Sequence, residues 1–411
     1  MNLREQKGLN IANRLKVVPQ GNLWLVPSES GSKKYKVDPS IGQCTCPDYE
    51  YTGSKCKHQF AVEITISRTQ TTTTKQTATG TKTTVTETVK VTRKTYPQEW
   101  PAYNMAQTQE KRLFLYLLHQ LCQGVGEPAQ MNGRPRLPIE DMLFSIAYKV
   151  YSTVSGRRFM TDLKDAHAKK YISKLPCYNS VFNYFEDETL TPHLKMLIEE
   201  SSLPLQAIEE DFAVDSSGLS TCRFVQWMHA KYSDPHLIEK REWVKVHLMC
   251  GVKTNIVTAV EITDRYAADS PQFKGLLDTT GENFTMRQVS ADKAYLSNQN
   301  LRTVVVNHHA MPYIPFKANS TPSKNNSGLW RQMYHYYSYN QERFMQNYHK
   351  RSNVETTFHM IKSKFGAALR SKTRTAQINE ALCKVLCHNI CCLIQSMYEL
   401  NLKPKFWAVA A

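Results

Sequence analysis

One basic stretch of the chain carries a single, isolated carboxylate. Between residues 343 and 374 there are eight Lys or Arg residues and one acid, Glu355. An α-helix advances about 100° per residue, so four polar side chains of this stretch share one helix face: Tyr348, Arg351, Glu355 and Lys362. A lone carboxylate in such surroundings favours a specific chemical role. The alternative is a solvated helix face on which Arg351 and Glu355 form an ordinary i,i+4 pair.

Two further acids follow short apolar runs upstream. Asp215 comes directly after Phe212-Ala213-Val214 and before Ser-Ser-Gly, and Asp292 comes directly after the run 284–291. We expect each acid to end a buried strand. Small neighbouring residues leave room for a metal ion beside the backbone, and oxygen ligands suit Mg²⁺ or Mn²⁺.

A second group of potential ligands lies near the N-terminus. Four residues form a C-x-C pair and a C-x-H pair: Cys44, Cys46, Cys56 and His58. An extended backbone places the two flanking side chains of each pair on the same side, so both pairs can converge on one ion. Four such ligands fit a structural, tetrahedral Zn²⁺ with no position left for water. A chance cluster of reduced cysteines is the alternative.

Composition limits the class of partner. The chain has 411 residues, with 52 Lys and Arg against 36 Asp and Glu, which gives a formal charge of +16. This charge favours nucleic acid as the partner. We find no run near the ~20 apolar residues of a membrane span and no signal-peptide core, so we expect no membrane association. The odd count of eleven cysteines fits a reducing compartment. We expect a cytoplasmic protein, associated with the nucleoid if the source is prokaryotic.

Composition and periodicity divide the chain into five parts. We predict a zinc-binding module at residues 1–68, a Thr/Lys-rich linker at 69–100 and a helical DNA-binding or dimerisation region at 101–205. An α/β catalytic domain follows at 206–400, and a tail at 401–411. The Thr/Lys segment has too few large apolar residues to form a core, which favours a flexible linker over the competing β-hairpin.

Residue spacing predicts elements within the helical and α/β parts. Apolar residues recur at helix spacing from Leu113 to Leu121, and a short helix is expected over 176–184, either as a DNA-recognition element or as ordinary core. A hairpin is expected over 243–262, and a strand over 303–306. The apolar helix 377–400 carries a stripe of cysteines, which we interpret as core packing rather than a metal site.

Two motifs resemble known families. The order C-x-C, nine residues, C-x-H, with strands before it and an apolar helix after it, resembles the SWIM-type zinc finger, a module associated with DNA binding or protein contacts. The spacing Tyr348-x2-Arg351-x3-Glu355-x6-Lys362 resembles the signature around the third catalytic acid of insertion-sequence DDE transposases. Asp292-x2-Tyr295 resembles their second motif, with Ala294 where many relatives carry glycine. This second resemblance covers roughly residues 110–400.

The resemblance implies a fold, a reaction and a set of residues. The fold is an RNase H-like mixed sheet flanked by helices, here preceded by a helical domain and a small zinc-finger module. The reaction is metal-dependent cleavage of the ends of a mobile element and their joining to target DNA. Asp215, Asp292 and Glu355 are the implied catalytic acids, and three carboxylates that converge in this way need divalent cations, here two Mg²⁺ or Mn²⁺ ions, to relieve their repulsion.

The implied partner is double-stranded DNA, both terminal inverted repeats and target, bound by a homodimer. We expect DNA contacts from five side chains: Tyr348, Lys350, Arg351, Lys362 and Lys364. Two alternatives stay open. One is a catalytically retired, transposase-derived DNA-binding protein, and the other is a SWIM-centred protein-interaction factor with a helical body.

Overall fold

The computed structural model describes most of the chain: residues 3–15, 17–20, 23–29, 33–66, 69–77, 80–88, 99–127, 136–221, 243–322 and 327–407. The chain forms two compact units, Met1–Pro97 and Gln98–Ala411. Each unit is described by itself.

The first unit contains a small antiparallel sheet of order β1-β2-β3-β4. Its elements are α1 (Leu3–Arg14), β1 (Val18–Gln20), β2 (Leu23–Pro27), β3 (Lys34–Asp38), β4 (Gln43–Cys44), α2 (Pro47–Thr52) and α3 (Lys57–Ile66). Helix α1 packs closely on α3, since a Cβ at Gly8 would lie 2.8 Å from the Lys57 carbonyl oxygen. Cys44, Cys46 and Cys56 belong to the small core of this unit. So few apolar residues make a weak core, which is typical of modules that need a metal.

The Thr/Lys-rich segment does not have the conformation that we expected. It forms two antiparallel strands, β5 (Thr69–Thr77) and β6 (Gly80–Thr88), which is the hairpin alternative. β-branched threonine favours extended backbone, and the two strands satisfy each other's hydrogen bonds without a large apolar face. Residues 89–98 of the expected linker lie outside the described residues, and its role as a connection stays a prediction.

The second unit begins with the expected helical region. Its helices are α4 (Trp100–Gln123), α5 (Ile139–Ser152), α6 (Gly156–Ala168), α7 (Tyr178–Glu186) and α8 (Leu190–Ser202). The leucines that predicted α4 are buried. These helices share one apolar core with the later sheet and the final helix, so packing is continuous across residues 205 and 206. A functional division at that point stays a prediction.

The central sheet has five strands in the order β11-β10-β7-β8-β9. They are β7 (Asp211–Ser220), β8 (Trp243–Gly251), β9 (Val257–Thr263), β10 (Gln288–Ala291) and β11 (Met311–Tyr313). Strands β7, β8 and β9 are antiparallel neighbours, whereas β10 runs parallel to both β7 and β11. This order and direction confirm the expected RNase H-like mixed sheet.

Helices cover both faces of the sheet. They are α9 (Gln272–Asn283), α10 (Asn298–Arg302), α11 (Gly328–Tyr339), α12 (Gln341–Tyr348), α13 (Ser352–Phe365) and α14 (Arg374–Glu399). The strand expected over 303–306 was wrong, since these residues continue α10 as a helical turn. Ser297 caps α10 and Val304 is fully buried, so tertiary packing overrides the strand preference of the β-branched run.

Helix α14 lies in the core. Its cysteines at 383 and 387 are fully buried, in agreement with the packing interpretation. By length and composition α14 is apolar enough to cross a membrane, but 78% of that window is buried within the protein. A core helix of a folded domain meets the same criteria.

A buried amide attaches α14 to the edge of the sheet. Asn389 accepts a hydrogen bond from the Val257 backbone N–H (2.9 Å) and donates one to the Val257 carbonyl (2.7 Å). Its Nδ2 also lies 3.0 Å from the Ser201 hydroxyl of α8. One side chain therefore joins β9, α8 and α14.

We predict that Asn389→Leu lowers the free energy of unfolding by at least about 3 kcal/mol. The variant leaves buried N–H and C=O groups without partners, at a cost of about 1–3 kcal/mol each. Urea denaturation measures the loss, with Asn104→Leu on the exposed face of α4 as the control. Equal stability of the two variants would contradict the anchoring role.

Candidate active site and metal centre

Strand pairing places Asp215 beside Asp292. The parallel ladder of β10 with β7 ends at Ala291 opposite Val214, so the next residue of each strand is an acid. β7 does not end at Asp215 as expected, because β8 continues to pair with it and Leu248 lies opposite Asp215. Only the pairing with β10 stops at this point. The two acids therefore emerge together where the parallel pairing stops.

Helix α13 brings Glu355 to the same place. Arg351, just before α13, donates through Nη1 to Asp215 Oδ2 (2.6 Å) and through Nη2 to Glu355 Oε1. One guanidinium thus joins two of the three acids, and the charges of both Asp292 and Glu355 act on Asp215. The structure brings the three predicted acids into one electrostatic neighbourhood.

Negative charge at Asp215 is only partly compensated. Burial raises the pKa of Asp215, and the charges of Asp292 and Glu355 raise it further. The hydrogen bond from the Ser216 N–H and the charge of Arg351 lower this pKa, but they do not cancel the increase. Burial disfavours the charged form of Arg351. The hydrogen bond to Glu355 and the charges of Tyr348 and Asp215 outweigh this effect, so the pKa of Arg351 is raised. An additional cation would relieve the remaining repulsion.

The three acids offer only oxygen ligands, which suits a hard divalent cation such as Mg²⁺ or Mn²⁺. Among the described residues they do not form a ready-made cluster around one ion, since Arg351 lies between two of them. Binding of a cation by all three therefore requires Arg351 or the acids to move. The oxygen ligands of the three acids fit the ion. In this structure Arg351 acts as the counter-charge of the carboxylates.

A tight turn interrupts the helix that we expected to run continuously through this region. Residues His349–Arg351 form a 3-10 turn between α12 and α13. From this turn Lys350 Nζ reaches Asp211 (2.8 Å) while Arg351 reaches Asp215. The Tyr348 ring lies 5.9 Å from the Arg351 guanidinium. The turn directs two neighbouring basic side chains onto β7.

The predicted DNA contacts differ in how they are held. Lys362 Nζ bonds the Ser217 hydroxyl (2.6 Å), and burial lowers its pKa. Lys364 forms an ion pair with Glu110 of α4, and Lys350 forms one with Asp211. Lys350 and Lys364 are therefore already paired with acids inside the protein. Arg351 pairs with Asp215 and Glu355, and the charges of Asp292 and Asp215 act on Tyr348.

A buried tyrosine lies within the electrostatic influence of the acids. Tyr295 of the Asp-x-x-Tyr motif is 1% exposed, and burial, followed by the charges of Asp269, Asp215 and Asp292, raises its pKa. Lys245 holds Asp269 by an ion pair of 2.7 Å. Sequence reasoning singled out Tyr295 by its motif but missed Ser217, because no spacing signal connects it to the site.

The predicted zinc ligands form one compact cluster. Cys44, Cys46, Cys56 and His58 are buried, and their ligand atoms lie within 4.8 Å of one another. His58 Nδ1 is 4.0 Å from Cys44 Sγ and 3.9 Å from Cys56 Sγ. Tetrahedral zinc, with Zn–S about 2.3 Å and Zn–N about 2.0 Å, places sulfur and nitrogen about 3.6 Å apart. The cluster fits a structural zinc ion.

The electrostatics of this cluster agree with that fit. The Cys44 hydrogen bond, followed by His58, lowers the pKa of Cys56 because both groups stabilise its thiolate, and burial opposes this effect. The pKa of Cys44 is raised, since its proton is shared with Cys56 and the group is buried. A buried set that readily forms a thiolate suits a metal ion.

Comparison with known proteins agrees with both sites. Residues 207–390 match the family described as the Transposase DDE domain, and residues 33–67 match the SWIM zinc finger. No curated protein and no solved structure matches the chain. The chain thus combines an N-terminal SWIM zinc finger with a DDE transposase domain, and both resemblances seen in the sequence are confirmed.

We predict that the purified chain holds one zinc ion per molecule and that Cys56→Ser loses it. The serine hydroxyl is a poor zinc ligand, so three ligands remain. Elemental analysis with a chelator-release assay measures the content. Cys177→Ser, at an exposed cysteine outside the cluster, is the control and should retain full zinc. Zinc retained equally by both variants would contradict the assignment.

A second prediction concerns the acids. Since the folded-state pKa of Asp215 is raised, protonation favours folding. That stabilising contribution is present below the unfolded value, about 3.9, and is lost as pH rises through the raised value. At neutral pH the ionised carboxylate is therefore unfavourable. We expect Asp215→Asn to melt at the same or a higher temperature than the unmodified protein, and added Mg²⁺ to raise only the melting temperature of the unmodified protein. A clear loss of stability in metal-free Asp215→Asn would contradict this electrostatic description.

Proposed function

We propose that this protein is a DNA transposase that cleaves the ends of a mobile element and joins them to target DNA. The observation that carries the proposal is that three acids from distant parts of the chain lie in one electrostatic neighbourhood. Arg351 pairs with Asp215 and Glu355, and the charge of Asp292 acts on Asp215. The DDE transposase domain supports a transposase function.

The proposed reaction has two steps at a DNA phosphodiester. In the first step water attacks phosphorus, the P–O3′ bond breaks, and the element end keeps a free 3′-hydroxyl. In the second step that hydroxyl attacks a target phosphodiester, so that one P–O bond replaces another. Two Mg²⁺ or Mn²⁺ ions held by the three acids would supply activation of the attacking oxygen and stabilisation of the leaving oxygen.

The basic residues bind and position the DNA. Arg351 and Lys362 are basic side chains that suit phosphate contacts, and Tyr348 offers a ring beside Arg351. In the structure Arg351 is paired with two acids. A phosphate that takes over Arg351 releases these carboxylates, so substrate binding and metal binding support each other.

The partners follow from the reaction. The substrate is double-stranded DNA, both the terminal inverted repeats and the target, and two element ends require two active sites, which a homodimer provides. The SWIM finger adds a second module for DNA or protein contact. We place the protein in the cytoplasm, on the nucleoid if the source is prokaryotic.

We predict that Glu355→Gln abolishes cleavage and joining but keeps DNA binding. The substitution retains shape and hydrogen bonding and removes one ligand charge, and the lost repulsion of phosphate leaves binding equal or slightly tighter. The measurement is a cleavage assay on labelled element ends with Mg²⁺, beside a binding titration. The control is Glu342→Gln, at an exposed acid on the preceding helix, which should cleave normally.

If Glu355→Gln cleaves at the unmodified rate, the catalytic assignment is wrong. If the unmodified, zinc-loaded protein binds element ends but never cleaves them, the retired, DNA-binding alternative is correct.

We predict the opposite pattern for Lys362→Ala. Each phosphate contact contributes about one unit to the slope of log affinity against log salt. The variant should bind more weakly and with a slope lower by about one unit, and should retain some cleavage at high protein concentration. Titrations between 50 and 200 mM salt measure the slope. An unchanged slope would remove Lys362 from the DNA contacts.

A further inference from the structure

A cavity of about 490 Å³ lies between the helical region and the segment that joins α13 to α14. Its walls come from the α5–α6 turn, from α7 and from residues 365–384. None of the three candidate catalytic acids lines it. The volume is in the range of small-molecule sites, about 300–1,000 Å³.

Two cations face one side of the cavity. Lys149 is 7% exposed, and among the described residues its Nζ has a hydrogen-bond acceptor in the Val154 carbonyl, at 2.7 Å. Arg370 Nη1 donates to the same carbonyl at 3.1 Å. An ammonium has three N–H groups and a guanidinium has five. Both side chains therefore keep donors for a further acceptor, and the exposed Lys372 lies at the rim.

The buried acid of the cavity, Glu380, is bonded by backbone N–H groups. Glu380 accepts hydrogen bonds from the backbone N–H groups of Arg370 and Ser371, both at 2.8 Å, and so holds the basic segment in place. Burial, and then the charge of Arg370, lower the pKa of Lys149 to about 8, although Glu380 opposes this. The lining contains four cations and two acids, Glu186 and Glu380, so the cavity carries an excess of positive charge.

The other side of the cavity is aromatic. Phe185 and Phe365 are 5% and 7% exposed, whereas Phe182 is 47% exposed. The Phe182 ring lies over the first residue of α6, where a Cβ at Gly156 would be 2.4 Å from its Cζ. An exposed ring held at the mouth of a cavity offers a stacking surface for a planar group.

We propose that this cavity binds one nucleotide unit, with its phosphate toward Lys149 and Arg370 and its base stacked on Phe182. The nucleotide is either free or an unpaired nucleotide of a DNA strand. Phe365 ends α13, which carries Glu355 about 15 Å earlier along the helix axis. That distance equals about four or five nucleotides at 3.4 Å per step. Only the DNA source depends on the proposed function; nucleotide binding itself does not depend on cleavage.

The test uses the full chain without added Mg²⁺ and two fluorescent probes. One probe is free 2-aminopurine deoxynucleotide, and the other is a duplex with a single unpaired 2-aminopurine, compared with the fully paired duplex. Stacking on Phe182 quenches the probe. Inorganic phosphate serves as a competitor.

Three variants and two controls separate the cavity from the rest of the surface. Phe182→Ala should weaken probe binding at least about fivefold, the lower limit for loss of one base-stacking ring. Lys149→Met and Lys372→Ala should also weaken it. Tyr116→Ala removes a ring of equal exposure, 48%, outside the cavity, and Lys164→Ala removes an exposed lysine of α6; neither should change binding.

Saturable quenching of the free probe identifies a free nucleotide, and quenching of the unpaired duplex alone identifies DNA. Either result supports the proposal if Phe182→Ala weakens it. Absence of saturable binding, or equal binding by Phe182→Ala and Tyr116→Ala, overturns it. Because Phe182 is exposed, its variant keeps the test valid even if Lys149→Met does not fold. Glu355→Gln should bind both probes normally, which separates this site from the cleavage assignment.

Discussion

Repulsion among three carboxylates at one end of a sheet is the constraint on which the rest of this domain depends. The ladder between β7 and β10 stops one residue before two of the acids, and α13 supplies the third. Buried like charges are stable only beside a counter-charge. Arg351 supplies it in the tight turn between α12 and α13. The interrupted helix thus serves the electrostatics of the site.

The cysteine cluster and the three acids differ in how their side chains are held. The cysteine cluster gathers four buried ligands within 4.8 Å, and a closed site of this kind holds a small module together. Among the three acids, Asp215 and Glu355 are bridged by Arg351, and none of the three is fully buried. If a phosphate binds Arg351, the acids are released to bind a metal cation. The closed cysteine cluster has no such exchangeable partner. Under the proposed function, the cysteine cluster would hold an ion for stability and the three acids would hold ions for chemistry.

Local patterns predicted much of this structure, and long-range contacts account for the remainder. Motif spacing identified the zinc ligands and the three acids, since ligand geometry and helix periodicity leave a signal in the sequence. Strand β7 extends past Asp215 because β8 pairs with it, and residues 303–306 are helical because Val304 is buried; neither fact is local. The pairing of Lys364 with Glu110 joins positions far apart in the chain, which spacing could not suggest. The Thr/Lys segment forms paired strands although its sequence has few large apolar residues.

The position of α14 in the chain has a consequence for synthesis. This helix follows all five strands and all three acids in sequence, yet it fills the core beneath the sheet and fixes β9 through Asn389. A nascent chain therefore emerges from the ribosome with its acids before the helix that completes their support. Parallel and long-range pairings form late in folding. Interrupted translation then yields a fragment with exposed apolar surface, which is a target for proteases.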